Sequence, residues 1–396
     1  MKVLVINAGS SSLKYQLLDM DKERLIAKGN CEKIGLEGST ISLKANGEQK
    51  VFDVVLKNHD QAMENVLKIL LDKENNVLSS LSEIEAVGHR VLHGGEIYTQ
   101  SVLIDDEVMK NLEELRPLGP LHMPANISGI KACQEVMPGV PQVAVFDTEF
   151  HATIPDYAFR YAIPKKAYTD WKIRKYGFHG TSHKFVANEL ANLTGNKGRF
   201  IICHIGNGAS VSAVKDGKCL ETSMGFTPLE GLIMGTRSGD IDPAVLQTIM
   251  EKTGKSIGEA LNYLNKESGL LGVSGISSDI RDVQKVADEN YDAALAVKML
   301  CYRVKKYIGE YVAVLNGVDA IAFTAGTGEN RPEIRQEILD GLDWLGIEVD
   351  KDRNYNFVRG ENFDITGANS RCKIYVVPTD EELMIARDTK NIVKNI

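Results

Sequence analysis

Residues 3–18 read VLVINAGSSSLKYQLL, and this stretch decides the fold. The apolar run over residues 3–6 is broken by small, amide and hydroxyl residues at 7–12, and an alternating pattern resumes over residues 13–18. A strand, a turn rich in polar donors and a second strand predict a β-hairpin.

The same pattern returns near residue 200. Residues 200–205 (FIICHI) are largely apolar, residues 206–210 (GNGAS) form a turn signal, and residues 211–214 (VSAV) continue as a strand. Two similar hairpins half a chain apart predict an ancestral duplication, with each half opening on a hairpin.

Helical and strand patterns alternate through the rest of the chain. Apolar positions at helical spacing predict helices over residues 60–71 and 291–315, and short apolar runs predict strands over residues 140–146 and 320–323. Such alternation is typical of an α/β fold. Since 396 residues exceed one ordinary core, we expect two domains, with the chain passing between them over residues 151–165.

Composition and charge exclude several classes of protein. The 43% hydrophobic and 25% charged content is ordinary for a globular protein, and a net charge of −8 argues against a nucleic-acid partner. The six cysteines form no C-x-x-C pair, so we expect buried thiols in a reducing compartment. We also expect no signal peptide and no membrane span, which together predict a cytoplasmic enzyme.

The common nucleotide-binding motifs are missing. Lys255 and Ser256 resemble the end of a P-loop, but Ile249 stands where that motif needs glycine, and no GxGxxG follows the first strand. The turn at residues 7–12 with Lys14, and the turn at residues 206–208, can instead offer backbone N–H groups to phosphate. The alternative is that both are ordinary hairpin turns.

Three charged residues are candidates for a site. Asp147 follows a predicted strand, where it could hold Mg²⁺ or simply cap the next segment. Arg90 and Arg237 lie among glycines, so their planar guanidinium groups could receive a carboxylate or a phosphate. The alternative for each arginine is a position on an exposed turn.

Seven of the eight histidines lie between residues 89 and 204, which favours a polar cleft. His179 and His183 are spaced like zinc ligands on a helix, but Gly180 argues against a helix there, and we expect no zinc site. We interpret His179 as a donor to developing negative charge.

Eight segments in order resemble the acetokinase family. They are VINAGSSSLK (5–14), GHRVLHGG (88–95), VFDTEFH (145–151), KYGFHGTSH (175–183), HIGNGAS (204–210), MGTRSGDIDP (234–243), FTAGTGEN (323–330) and PTDEE (378–382). The resemblance extends from residue 3 to about residue 387. It implies two duplicated α/β domains of the ribonuclease-H-like, actin-like ATPase type, with the active site in the cleft between them. The implied domains are residues 1–150 with about 383–396, and residues 151–382.

The resemblance also implies roles for individual residues. Asp147, His179 and Arg237 would be catalytic, Arg90 would bind the acetate carboxylate, and Asn7 and Glu381 would hold the metal. Asp380 stands where Asn is expected as often, so Glu382 remains open as the metal-facing residue beside Glu381. The implied nucleotide-binding residues are Lys14, His204, Ile205, Gly206, Asn207, Gly208, Asp279, Ile280, Arg281, Gly326, Thr327, Gly328, Glu329 and Asn330.

The activity that the resemblance implies is reversible transfer of the ATP γ-phosphate to acetate, giving acetyl phosphate and ADP. It also implies Mg²⁺, replaceable by Mn²⁺, as cofactor, and a homodimer. A carboxylate acceptor needs no general base, so direct in-line transfer without a phosphoenzyme is expected. Alternatives are a propionate or butyrate kinase, with Val91, Leu121 and Pro228 near the acid, and a non-catalytic ATP-driven binding protein, which would not need Arg90, Arg237 and His179.

Overall fold

The computed structural model describes residues 1–395, and Ile396, the end of the expected N-terminal domain, lies outside the described residues. The strands are β1 (Lys2–Ala8), β2 (Leu13–Asp19), β3 (Arg24–Glu32), β4 (Thr40–Ala45), β5 (Glu48–Asp53), β6 (Ala86–Val91), β7 (Val102–Leu103), β8 (Gln142–Phe146), β9 (Arg199–Ile205), β10 (Ala209–Lys215), β11 (Lys218–Thr222), β12 (Ala320–Thr324), β13 (Phe363–Asp364) and β14 (Lys373–Val376).

The α-helices fall between and after these strands. They are α1 (His59–Leu71), α2 (Asp106–Leu115), α3 (Met123–Val136), α4 (Asp156–Phe159), α5 (Lys165–Thr169), α6 (Gly180–Thr194), α7 (Pro243–Thr253), α8 (Ile257–Lys266), α9 (Gly269–Ser274), α10 (Ile280–Val286), α11 (Tyr291–Leu315), α12 (Ala325–Asn330), α13 (Pro332–Leu339), α14 (Lys351–Tyr355) and α15 (Glu381–Val393). None of the helices described over residues 1–395 combines the length and the apolar character needed to cross a membrane.

The chain divides into two units. Unit 1 contains Met1–Phe150 and the C-terminal segment from Asp380, and unit 2 contains His151–Thr379. The chain returns to unit 1 at Asp380, whereas the sequence placed this return at about residue 383. Helix α15 therefore belongs to unit 1 as a whole, and with it Glu381 and Glu382.

The sheet of unit 1 has the order β5-β4-β3-β2-β1-β6-β8-β7. The predicted first hairpin is confirmed, since β1 and β2 are antiparallel with Lys2 opposite Asp19 and Ala8 opposite Leu13. On its other side β1 pairs in parallel with β6, which pairs in parallel with β8.

The sheet of unit 2 has the order β11-β10-β9-β12-β14-β13. Strand β9 is antiparallel to β10 and parallel to β12, and β12 is parallel to β14. The five strands β11-β10-β9-β12-β14 therefore repeat the order and directions of β3-β2-β1-β6-β8. This repeat confirms the duplication predicted from the two hairpins.

Strand β1 is buried on both faces of its sheet. Leu4 and Ile6 pack in the cluster that includes the apolar residues of α1, while Val3 and Val5 pack against α15. Alternation along the strand sends successive side chains to opposite layers, so this apolar strand needs a helix on each side. A Cβ at Gly88 on β6 would lie 2.4 Å from Thr389 Oγ1, so glycine lets α15 approach the sheet closely.

Helix α6 corrects one sequence expectation. Gly180 was expected to prevent a helix, but α6 begins at Gly180, and His179 precedes it in the left-handed conformation with φ of 59°. The His183 N–H donates to the His179 carbonyl at 3.0 Å. Glycine costs most in a helix interior, and here it stands at the first helical position. His179 and His183 therefore stand one helical turn apart.

Candidate active site

Arg90 and Asp147 form a bidentate ion pair in unit 1. Arg90 lies near the end of β6, and Asp147 follows the neighbouring strand β8 directly. Arg90 Nε donates to Asp147 Oδ1 at 2.9 Å, and Nη2 donates to Oδ2 at 2.7 Å. The Asp147 side chain is 2% exposed and that of Arg90 is 26% exposed. The buried carboxylate thus fixes one edge of the guanidinium and leaves Nη1 on the other.

Glu381, at the start of α15, lies on the Nη1 side of this pair. Its Oε2 is 4.0 Å from Arg90 Nη1. Burial raises the pKa of Glu381, and although Arg90 lowers it, the charges of Asp147 and Glu382 raise it further. The charge of Asp147 raises the pKa of Arg90 despite burial. Two carboxylates thus share one arginine, which favours an additional cation here.

Asn7 and Lys14 lie on the same side of the first hairpin. They face each other directly across β1 and β2, and the charge of Lys14 reaches Glu381. Mg²⁺ takes one or two protein oxygens and completes its shell with water and phosphate oxygens. Residues 1–395 hold no cluster of three or more His, Cys, Asp or Glu side chains that could bind a metal alone. Glu381 and Asn7 each carry an oxygen of the kind that Mg²⁺ prefers as a ligand.

Glu381→Gln is expected to raise the melting temperature of the protein in EDTA. Because the folded state raises the pKa of Glu381, the ionised side chain opposes folding above that pKa, and an amide relieves about 1 kcal/mol. Excess Mg²⁺ and ATP should then stabilise the wild type more than the variant in a thermal-shift measurement. Glu382→Gln is the matched control, and a lower melting temperature for Glu381→Gln in EDTA would contradict the prediction.

The turn between Asn7 and Lys14 is partly closed on itself. The Gly9 N–H donates to the Ser12 carbonyl at 2.8 Å, and the Gly9 carbonyl faces His59 Nε2 at 2.8 Å. The Gly9 N–H therefore does not take part in the expected phosphate nest, because the turn already uses it. Lys14 is exposed and lines a separate cavity of about 340 Å³ together with Glu382.

In unit 2, His179 and Arg237 meet at the backbone of Gly208. A Cβ at Gly208 would lie 3.4 Å from His179 Nε2 and 3.7 Å from Arg237 Nη1. The His179 ring also stacks on the His204 ring at a centroid distance of 4.2 Å. Two potential donors therefore border one small space beside the β9–β10 turn.

Arg237 carries a charge that no carboxylate balances within residues 1–395. Its Nη1 donates to the Pro228 carbonyl at 3.3 Å and lies 3.6 Å from Met234 Sδ. Burial lowers the pKa of Arg237. A partly buried guanidinium without an anionic partner is suited to receive an anionic ligand.

A cavity of about 620 Å³ adjoins the β9–β10 turn in unit 2. Eight of the expected nucleotide-binding residues line it: Gly206, Asn207, Asp279, Ile280, Arg281, Gly326, Thr327 and Asn330. Five further lining residues were missed by sequence reasoning: Leu270, Ser278, Leu300, Arg331 and Arg359. Of these, only Arg331 had a sequence signal, because it directly follows the glycine-rich FTAGTGEN segment.

The glycines of this region allow close backbone contacts. A Cβ at Gly235 would lie 1.9 Å from Asn207 Oδ1 and 2.7 Å from the Ser278 carbonyl.

Asp279 and Arg281 form an ion pair at the cavity wall, and the hydrogen bond from Arg281 lowers the pKa of Asp279 to about 2.

Other expected nucleotide-binding residues lie away from the cavity lining. Ile205 is buried in β9, and Gly328 lies within α12 near the Cys203 carbonyl. Glu329 Oε1 accepts from the Ala325 N–H at 2.8 Å and from the Thr379 N–H at 3.1 Å, and burial raises its pKa. Glu329 therefore links the backbone of Ala325 to that of Thr379 through two hydrogen bonds.

Arg335 is a buried anchor for this loop. It has 0% exposure, and its Nη1 donates to the Gly328 carbonyl at 2.9 Å and to the Glu329 carbonyl at 2.8 Å. Its Nε donates to Asn354 Oδ1 at 2.8 Å, and burial lowers its pKa to about 10. The guanidinium thus links α12 to α14 through neutral acceptors.

Arg335→Ala is expected to lower the free energy of unfolding by about 3–5 kcal/mol, because it leaves buried carbonyls unpaired and opens a cavity. Urea unfolding measures this change, and ATP titration should show weaker binding. Arg353→Ala, an exposed arginine on α14, is the matched control with an expected change within about 0.5 kcal/mol. Equal stability of the two variants would contradict the anchoring role.

Comparison with known proteins decides the family. The model of the acetokinase family matches residues 2–387. The chain belongs to the acetokinase family. It is 54% identical to an acetate kinase of Caldanaerobacter subterraneus subsp. tengcongensis over 402 residues, covering 100% of both chains.

Solved structures agree with this acetokinase assignment. An acetate kinase of Porphyromonas gingivalis superposes with a TM-score of 0.95 at 46% identity, and a propionate kinase of Francisella tularensis with 0.92 at 41% identity. Each comparison covers 99% of both chains. These matches confirm the expected duplicated α/β fold of the acetokinases and identify the chain as a carboxyl-group phosphotransferase of that family.

Proposed function

We propose that the protein is an acetate kinase, which transfers the γ-phosphate of ATP reversibly to acetate and forms acetyl phosphate and ADP. The observation that carries the proposal is the Arg90–Asp147 pair, which holds the guanidinium through Nε and Nη2 and leaves Nη1 without a hydrogen bond within residues 1–395, with Glu381 4.0 Å away. An acceptor-anion site of this kind has no purpose in a non-catalytic ATP-driven binding protein. The relatives named acetate kinases support the choice of acid.

The chemistry requires positioning and charge stabilisation, because a carboxylate acceptor has no proton to lose. Arg90 binds and orients the acetate carboxylate, and Asp147 holds Arg90 in place. His179 and Arg237 donate hydrogen bonds to the transferring phosphoryl group.

The nucleotide and metal complete the proposed site. The 620 Å³ cavity of unit 2 would hold the nucleoside, with Lys14 near its phosphates. Glu381 and Asn7 would hold Mg²⁺ or Mn²⁺. When bound, the metal would supply positive charge that offsets repulsion between the acid and the phosphates.

Propionate is the second candidate acceptor, favoured by the similarity to a propionate kinase, and butyrate is the next longer acid to compare. One methylene changes binding in an apolar pocket by only ~1–3 kcal/mol. Of the residues expected near the acid, Val91 is buried on β6, whereas Leu121 is 68% exposed and does not form a closed apolar wall.

A hydroxylamine trap for acyl phosphate tests the reaction, with ATP, Mg²⁺ and acetate, propionate or butyrate in parallel. The proposal predicts the highest kcat/KM with acetate, and a higher value with propionate would transfer the assignment to the second candidate. Absence of hydroxamate with every acid, despite intact ATP binding, would favour the binding protein. Inversion of configuration at a chiral γ-phosphorus would support direct transfer, and retention would overturn it.

We further propose a cytoplasmic homodimer. All six cysteines are free and buried, which suits a reducing compartment. The dimer follows from family resemblance alone. Fractionation of the native cells and light scattering of the purified protein test the two statements, and a monomeric mass would overturn the second.

A further inference from the structure

Four buried or half-buried side chains of unit 2 form one continuous row of hydrogen-bonding groups. Ser212 Oγ lies 2.8 Å from His183 Nδ1, and His183 Nε2 lies 2.8 Å from Ser210 Oγ. Ser210 Oγ lies 2.9 Å from His179 Nδ1. Ser210 and Ser212 point to the same side of β10 because they are two positions apart, and the two histidines stand on successive turns at the start of α6.

Ser212 determines which group donates in each hydrogen bond of the row. Its side chain is 0% exposed, and within residues 1–395 its only hydrogen-bond partner is His183 Nδ1. A buried hydroxyl must donate its proton, since a lost hydrogen bond costs about 1–3 kcal/mol. The Ser212 hydroxyl therefore donates to His183 Nδ1, and this nitrogen carries no proton.

The positions of the other protons follow from this hydrogen bond between Ser212 and His183. Burial lowers the pKa of His183 well below its ordinary value, and the nearby His151 and His204 lower it further, so His183 is neutral. With Nδ1 as acceptor, its one proton is on Nε2, which donates to Ser210 Oγ. The Ser210 hydroxyl then has one proton left, and it donates this proton to His179 Nδ1.

We propose that Ser212, His183 and Ser210 are positioning residues that hold His179 with its Nδ1 unprotonated and its proton on Nε2. That nitrogen is the one beside Gly208 and Arg237, 3.4 Å from the position of a Cβ at residue 208. The inference rests on the proposed role of His179 as a donor to the transferring phosphoryl group. The opposite tautomer would present a lone pair to the phosphoryl oxygens and repel them.

The two other histidines of this cluster have different partners. His204 Nδ1 bonds with Ser182 Oγ at 2.8 Å, and His151 Nε2 lies 2.9 Å from the Phe178 carbonyl. Ser182→Ala therefore removes a serine–histidine hydrogen bond of the same length outside the row, together with the hydrogen bond between Ser182 Oγ and Thr379 Oγ1. It is the matched control for Ser212→Ala, which removes the far end of the row without touching His179.

Nitrogen NMR of the full-length, ¹⁵N-histidine-labelled protein measures the tautomer, with His179 assigned by the signal lost in His179→Asn. In the wild type near pH 8, Nδ1 of His179 should show the shift of an unprotonated nitrogen and Nε2 that of a protonated one. Ser212→Ala should move both shifts toward a tautomer mixture, and Ser212→Thr, which keeps the hydroxyl, should restore them. Ser182→Ala changes the support of the stacked His204 ring, and it should still leave Nδ1 of His179 unprotonated and Nε2 protonated.

Kinetics give a second measurement on the same variants. A wrongly held histidine tautomer costs up to about 10⁴-fold in rate. We expect kcat to fall about 100-fold in Ser210→Ala and about 10-fold in Ser212→Ala. KM for ATP and acetate should change less than about twofold, since neither serine binds substrate.

Two results would overturn the inference: a wild-type His179 with its proton on Nδ1, or unmoved His179 shifts in a folded Ser212→Ala protein. The wild-type spectrum shows which nitrogen of His179 carries the proton, even if the variants fail to fold. If the wild type makes no acyl phosphate, the proposed function fails while the spectrum still reports the tautomer.

Discussion

Arg90→Ala is expected to lower kcat/KM for acetate by about 10³-fold and the free energy of unfolding by about 2–4 kcal/mol. The first effect follows from loss of a charged, planar contact to the acceptor carboxylate. The second follows because Asp147, 2% exposed, loses the cation that balances it and donates two hydrogen bonds to it. The expected loss of unfolding free energy is smaller than for a fully buried ion pair because Arg90 is 26% exposed.

The hydroxamate assay and urea unfolding measure the two effects separately. Arg199→Ala is the matched control, since Arg199 and Asp319 also form a bidentate pair, with Nε–Oδ2 at 3.1 Å and Nη2–Oδ1 at 2.6 Å. These side chains are 35% and 39% exposed. Loss of this ion pair should therefore lower the free energy of unfolding by less than about 1 kcal/mol and leave acetate kinetics unchanged.

Arg90→Lys separates charge from geometry. It should recover part of the lost stability but little of the activity. A lysine ammonium lacks the planar guanidinium, which can bind Asp147 on one edge and a second carboxylate on another. An Arg90→Ala protein as stable as the wild type would contradict the view that this pair is a structural part of the site.

The duplicated architecture could be predicted from the sequence because the deciding signals are local. Residues 3–18 and 200–214 each combine apolar runs with a polar turn, and period-two alternation fixes which residues face each layer. The helix over residues 291–315 was also predicted correctly, as its apolar stripe and the closing Asn316 are properties of adjacent residues.

The cavity walls and the histidine row could not be predicted in the same way. Ser210 meets His179 and His183 only because the fold brings β10 within hydrogen-bond reach of the start of α6, about 30 residues away in sequence. Arg335 has no distinctive neighbours in the sequence, yet it is fully buried and holds the carbonyls of Gly328 and Glu329. Gly180 was misjudged because intrinsic helix propensity is weak in a first turn that tertiary packing supports.

Arg237→Ala is expected to behave differently from Arg90→Ala: a fall in kcat of about 10³-fold with no loss of stability. Arg237 has no carboxylate partner within residues 1–395, and burial lowers its pKa, so its charge opposes folding instead of supporting it. Its removal leaves no buried anion uncompensated. The activity loss is large because a cation beside the transferring phosphoryl group acts mainly in the transition state.

Binding measurements distinguish this role of Arg237 from a structural one. The affinity for ATP should change less than about threefold in Arg237→Ala, while the affinity for a transition-state mimic of ADP, Mg²⁺, aluminium fluoride and acetate should fall in parallel with kcat. Arg237→Lys should recover part of the loss through its charge, but not the directed donors of the guanidinium. A melting temperature lowered as far as that of Arg90→Ala, or equal losses of ATP and mimic affinity, would show that Arg237 supports the fold or the ground state instead of the transferring group.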